Sequence, residues 1–177
     1  MIFRETELGG AFVIAPEPIE DERGFFARVF DADEFAARGL DARLAQSSIS
    51  YNERAGTLRG MHFQREPHAE TKLVRVTRGT VYDVIVDLRP DSPTFTRWTA
   101  VELTADNRLA LYIPKGLAHG FQTLEEDTEI LYAISEFYEP SAAGGVRWDD
   151  PTFGIEWPAA VDRVMSDKDK SWPDFTS

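Results

Sequence analysis

The chain has 177 residues, 42% of them apolar and 12% aromatic, enough for one domain with a real hydrophobic core and too apolar for a disordered polypeptide. Nineteen basic residues against 31 acidic ones leave a formal charge of −12 with no long basic run, which argues against nucleic acid and anionic membrane as partners. There is no cysteine, so disulfides, thiolate metal sites and cysteine nucleophiles are excluded. The opening MIFRETELGG lacks a signal-peptide pattern and no apolar run approaches bilayer length, so the expected compartment is the cytoplasm.

In chain order, a short apolar run at 11–14 leads into a proline-containing segment and then Arg23-Gly24-Phe25-Phe26. That element reads either as a loop capped by core phenylalanines or as an arginine placed for an anion beside a stacking aromatic. One helix follows, capped by Asp31 or Asp33, with Phe35 and Leu40 as apolar contacts and Gly39 as its end. The remainder is strand upon strand, expected at 43–51, 57–64, 70–77, 80–88, 97–103, 109–113, 120–124 and 128–135. Turn signals such as Arg78-Gly79 and Asp106-Asn107 separate them at short intervals, without βαβ alternation. This pattern predicts a single all-β domain over 1–177, a barrel or jelly roll, in which VYDVIVDLR keeps one wet face. No internal repeat, second domain or phosphate-binding glycine loop is present.

Chemistry concentrates in LRGMHFQREPHAETKLVRV. Strand alternation puts Gly60, His62 and Gln64 on one side and Met61 and Phe63 on the other, with Lys72 of the returning strand near His62. Two readings stand together here: a half-buried histidine satisfied by a neighbour, and a titratable imidazole with room for a ligand. A second stretch, LYIPKGLAHGF, turns at Pro114 and Gly116 and delivers His119 three residues later.

The spacing of these two stretches resembles the paired motifs of the cupin superfamily. Metal-binding cupins use histidines at i and i+2 of one strand, a glutamate and a third histidine. Here the second position is Gln64 and His68 falls in the turn, so the expected fold is a cupin-type jelly-roll barrel with a few short helices and no metal. His62 is then free to move protons.

Taken together, LRGMHFQ, KLVRV, VYDVIVDLR with DSPTF, YIPKGLAHGF, ILYAISEFYEP and VRWDDPTFGIEWP resemble the dTDP-4-dehydrorhamnose 3,5-epimerase family, from DERGFF to SDKD. The resemblance implies a nucleotide-linked 4-keto-6-deoxy sugar as substrate and no cofactor. It implies His62 as base, paired with Asp169 of Ser166-Asp167-Lys168-Asp169, Lys72 facing the enolate oxygen, and Tyr132 as the acid on the opposite face. His119 and Arg59 match contacts to sugar and diphosphate, and Tyr138 matches the residue stacked on thymine. Gln46, Ser48, Arg28 and Lys168 belong to the same implied substrate-binding set, and Arg23 to a diphosphate contact from the neighbouring subunit. A homodimer with exchanged amino-terminal strands follows from the resemblance, as does a carboxy-terminal segment closing on the site. Each residue also has a plain structural reading: Tyr132 and Tyr138 as sheet aromatics, Lys72 as a surface lysine, Asp169 as a solvated charge.

Four positions depart from the family pattern. Arg28 stands where a glutamate is usual, Ser47 and Ser48 replace an acidic or polar residue and an asparagine, and Ala143 replaces a glutamate. They touch sugar and base contacts and spare the proton-moving residues. The expected activity is therefore 3,5-epimerisation giving dTDP-4-dehydro-L-rhamnose. The alternatives are epimerisation at C3 or C5 alone, another nucleotide sugar, or a cupin that binds a sugar nucleotide without catalysis.

Overall fold

The computed structural model describes residues 1–176. Its strands form two large sheets that pack over one core. The six-stranded sheet runs β1 (Ile2–Glu5), β2 (Phe12–Ala15), β10 (Ala110–Ile113), β7 (Lys72–Arg78), β12 (Thr128–Ile134) and β5 (Gln46–Asn52). The five-stranded sheet runs β13 (Ala143–Gly145), β6 (Leu58–Gln64), β11 (Leu117–Thr123), β8 (Thr80–Asp87) and β9 (Trp98–Thr104). All of these pairings are antiparallel, and most join strands that are not successive in the chain. The architecture is the expected cupin-type jelly roll.

Alternation decides which residues fill the space between the sheets. Val74 and Val76 of β7 and Ile130 of β12 meet Val81 and Ile85 of β8 and Leu117 and Phe121 of β11, all buried. Each such side chain stabilises the fold by roughly 1.5–3 kcal/mol on burial. The opposite face of β8 was expected to be wet, and it is not. Val84 and Val86 join Met61 and Ala118 in a second apolar layer, covered by Phe153, Trp157 and Phe175 of the carboxy-terminal segment. A central strand covered on both faces loses its polar side.

Helix α1 (Ala32–Ala36) is capped by Asp31, whose side chain accepts from the amides of Asp33 and Glu34. It is shorter than the sequence suggested, and Gly39 follows after a tighter turn in which its amide bonds to Ala36. Strand β5 starts at Gln46 and not at 43, while β11 starts at Leu117, directly after the turn at Gly116. Helix α2 (Asp167–Lys170), strand β13 and the hairpin of β3 (Ile19–Asp21) with β4 (Gly24–Phe26) have no counterpart in the predicted elements. In the amino-terminal part β2 bonds to the chain's own β10, and β3–β4 stands as a hairpin outside both sheets. At the end of β8, fully buried Asp87 accepts bonds from Arg89, Ser92 and Thr94 and pins the loop to β9.

Candidate active site

On a regular strand Arg59 and His62, three residues apart, face opposite sides. Here β6 is bulged against β11: His62 pairs with His119 while Arg59 pairs with Phe121. Both side chains consequently line the same cleft. The bulge depends on Gly60, which has φ of 147° and whose added Cβ would lie 2.6 Å from the Cα of Gly120. A side chain at either glycine would push β6 and β11 apart.

The carboxy-terminal segment returns to this bulge. A parallel bridge joins Thr57 to Val164, with the amide of Leu58 bonded to the Val164 carbonyl at 2.8 Å. Two residues later Ser166 caps α2, its hydroxyl accepting the amide of Asp169 at 3.1 Å. That cap directs Asp169 inward, where Oδ1 lies 2.6 Å from His62 Nε2 and Oδ2 accepts the Gly60 amide at 3.4 Å. Burial alone would raise the Asp169 carboxyl. The bond and charge of His62, with the Gly60 and Ser166 donors, outweigh it and hold the group below its ordinary value. Asp169 therefore stands ionised behind an imidazole that opens to the cleft.

The facing sheet supplies the other groups. Lys72 shares the inward face of β7 with Val74 and Val76, and its Nζ donates to the His62 carbonyl at 3.3 Å. Tyr132 shares the inward face of β12 with Ile130, its ring 5.9 Å from that of His119. Burial first, and then the negative charge of Asp83, push the Tyr132 phenol well above its ordinary value, with Arg59 pulling partly back. Tyr132 is thus a neutral phenol near neutral pH. Together these side chains border two pockets of about 360 and 310 Å³ that share Arg59, His62 and Ile134. One pocket carries Gln46, Gln64, Tyr138, Lys168 and Asp169, and the other Ser48, Lys72, His119 and Tyr132.

Most of the residues singled out in the sequence meet at this cleft. Gln46 Oε1 accepts the Tyr138 amide at 2.7 Å, which fixes Tyr138 at the rim with its side chain exposed. Lys168 lies 5.5 Å over the ring of Trp172, and Ala143 lines the cleft from β13. Ser47, by contrast, points to the outer side of the sheet, its hydroxyl bonded to the Tyr132 carbonyl. Arg23 and Arg28 are not brought to the cleft of their own chain. Arg23 pairs with Asp21 on the hairpin, and Arg28 pairs with Asp31 at 3.2 Å. Gln64 was weighed as a metal-ligand position, and its amide is consumed by protein bonds to His68, Glu70, Phe137 and Glu139. No cluster of three or more histidine, cysteine, aspartate or glutamate side chains among the described residues has the arrangement to hold a metal ion.

Sequence reading missed three partners. Asp83, fully buried, meets His119 Nε2 with both oxygens at 2.9 and 3.0 Å. Its signal was an acid on the same strand face as Val81 and Ile85, where an unpaired carboxylate is too costly to keep. Asn52 accepts from Arg59 Nε at 2.8 Å, and Glu70 lies against Lys72; neither had a signal beyond proximity in the chain.

A jelly roll whose two sheets flank a histidine–carboxylate pair, a lysine and a half-buried tyrosine defines a cupin-type protein equipped for proton transfer. The model of the family described as dTDP-4-dehydrorhamnose 3,5-epimerase matches residues 5–177, and the chain belongs to that family. A dTDP-4-dehydrorhamnose 3,5-epimerase of Methanothermobacter thermautotrophicus is 45% identical over 172 residues, spanning 96% of this chain and 92% of the relative. The crystal structure of the Elizabethkingia anophelis dTDP-4-dehydrorhamnose 3,5-epimerase superposes with a TM-score of 0.96 at 38% identity, covering 99% of this chain and 96% of that one. A 3'-monoepimerase from Streptomyces bikiniensis, in complex with dTDP-quinovose, superposes with a TM-score of 0.88 at 34% identity, covering 96% and 85% of the two chains. No helix among the described residues is long and apolar enough to cross a membrane.

Proposed function

We propose that the protein epimerises dTDP-4-dehydro-6-deoxy-D-glucose at C3 and C5, giving dTDP-4-dehydro-L-rhamnose. The observation that carries this reading is the His62–Asp169 pair, 2.6 Å apart, in a cleft whose other wall bears Lys72 and Tyr132. A C4 ketone acidifies the protons on its neighbouring carbons, because the carbanion delocalises onto the oxygen. His62 takes the proton, and Asp169 holds the imidazole in one tautomer and offsets the imidazolium charge that forms. Lys72 faces the oxygen on which charge grows, an interaction stronger in the transition state than with the ketone. Tyr132, from the opposite sheet and neutral through burial, returns a proton to the other face of the carbon. The imidazolium then loses its proton to solvent and the phenolate regains one, so no redox cofactor enters the balance.

The nucleotide end is assigned to Arg59 and Lys168 for the diphosphate and Tyr138 for the base, with Gln46, Ser48 and His119 on the cleft walls. Arg23 and Arg28 serve the cleft of a second copy in a homodimer. The β3–β4 hairpin supports this reading, since Ile19 and Phe26 pair across its base 71% and 70% exposed and Arg23 stands in its turn. The test is proton NMR of the keto sugar nucleotide in D₂O with purified protein, following C3 and C5 separately. Deuterium at both carbons with accumulation of the L-sugar is expected. Incorporation at one carbon alone selects a single-centre epimerase, and none at either, with the ligand bound, overturns the reading.

A further inference from the structure

Lys72 is only 8% exposed, and a buried ammonium without a counter-ion tends to lose its proton or swing out to water. Its Nζ lies 3.0 Å from Glu70 Oε1. Glu70 is itself held, because Gln64 Nε2 donates to its Oε2 at 3.0 Å. Gln64 is buried and fixed in turn: its Oε1 accepts the Glu139 amide at 2.7 Å, and its Nε2 also meets the His68 carbonyl at 3.0 Å. A chain of contacts therefore runs from the backbone at Glu139 through Gln64 and Glu70 to the ammonium at the cleft. Each oxygen of Glu70 carries a bond, one to Lys72 and one to Gln64, so the carboxylate is held from both sides.

We propose that Glu70, clamped by Gln64, is a positioning residue that keeps Lys72 aimed at the oxygen where enolate charge develops. This rests on the epimerase reading above, since it needs a charge that grows near Lys72. The amide of Gln64, in the strand position where a metal-binding cupin has its second histidine, is spent on holding a carboxylate. The arrangement is rigid before substrate arrives, which is what makes a donor effective in the transition state.

Glu70→Gln, Lys72→Met and the double variant test it in a cycle, with C3 exchange in D₂O as the readout and dTDP affinity and thermal unfolding measured beside it. In Glu70→Gln, Lys72 and Gln64 compete for one remaining oxygen. Its kcat falls about tenfold with KM and dTDP affinity unchanged, less than the loss of roughly a hundredfold or more for removing a direct oxyanion donor in Lys72→Met. The double variant matches Lys72→Met alone, and Glu70→Asp, which keeps the charge, falls between wild type and Glu70→Gln. Unchanged kcat in a folded Glu70→Gln overturns the assignment, as does an equal further loss in the Lys72→Met background. If Glu70→Gln does not fold, Glu70→Asp decides, and wild-type kcat there with the carboxylate withdrawn also counts against it. A wild-type protein that exchanges neither proton removes the underlying reading, whereas an active wild type with an equally active Glu70→Gln removes only the role of Glu70.

Discussion

Asp169 Oδ1 and His62 Nε2 are separated by 107 residues in the chain and by 2.6 Å in the fold. The parallel bridge at Val164, the cap at Ser166 and the glycine-dependent bulge in β6 jointly bring them together. The imidazole presents one nitrogen to a buried carboxylate and lines the cleft with the rest of its ring. Removing the charge without changing the shape is therefore informative. Asp169→Asn is expected to lower kcat by about a hundredfold or more while dTDP still binds, because the amide no longer favours one tautomer or supports the imidazolium. A variant that retains wild-type kcat contradicts the pairing's role.

Tyr132 lies on the sheet opposite His62, and its phenol stays protonated because burial and the Asp83 charge oppose ionisation. Tyr132→Phe should consequently impair net epimerisation more than the first exchange of the C3 proton with solvent. Following deuterium incorporation and sugar configuration in one NMR time course separates the two. Equal loss of both undermines a dedicated acid.

Asp87 makes a prediction about stability. Burial alone would raise its carboxyl, but bonds from Arg89, Ser92 and Thr94 overcome this and hold it well below the ordinary range. A depressed native value means that its contribution is fully present above the unfolded carboxyl value, about 3.9, and is lost as pH falls below it towards the native one. Urea midpoints of wild type and Asp87→Asn should differ most above about pH 5 and converge progressively below about pH 4. A gap that stays constant down to pH 2.5 contradicts the assignment.

Part of the site was legible because strand periodicity exposes it: alternation placed His62 on β6 with Lys72 of β7 beside it, whereas Tyr132 on β12 and Asp169 came from the family resemblance. What alternation hides is departure from alternation. Arg59 shares the cleft with His62 only through the bulge at Gly60, which period-two reasoning places on the wrong face. The wet face expected for β8 disappeared because residues 153–175, distant in sequence, lie across it. Glu70 was passed over, and Gln64 weighed only as a metal-ligand position, for a different reason. Their value lies in what they hold, and a network of side-chain bonds leaves no periodic trace.

The measurement that bears most directly on the account is C3 deuterium exchange by His62→Ala, with dTDP binding measured on the same sample by calorimetry. The account predicts that exchange disappears while dTDP still binds, because the nucleotide end rests on Arg59, Lys168 and Tyr138 rather than on the imidazole. A His62→Ala protein that still exchanges the C3 proton would show that another group is the base.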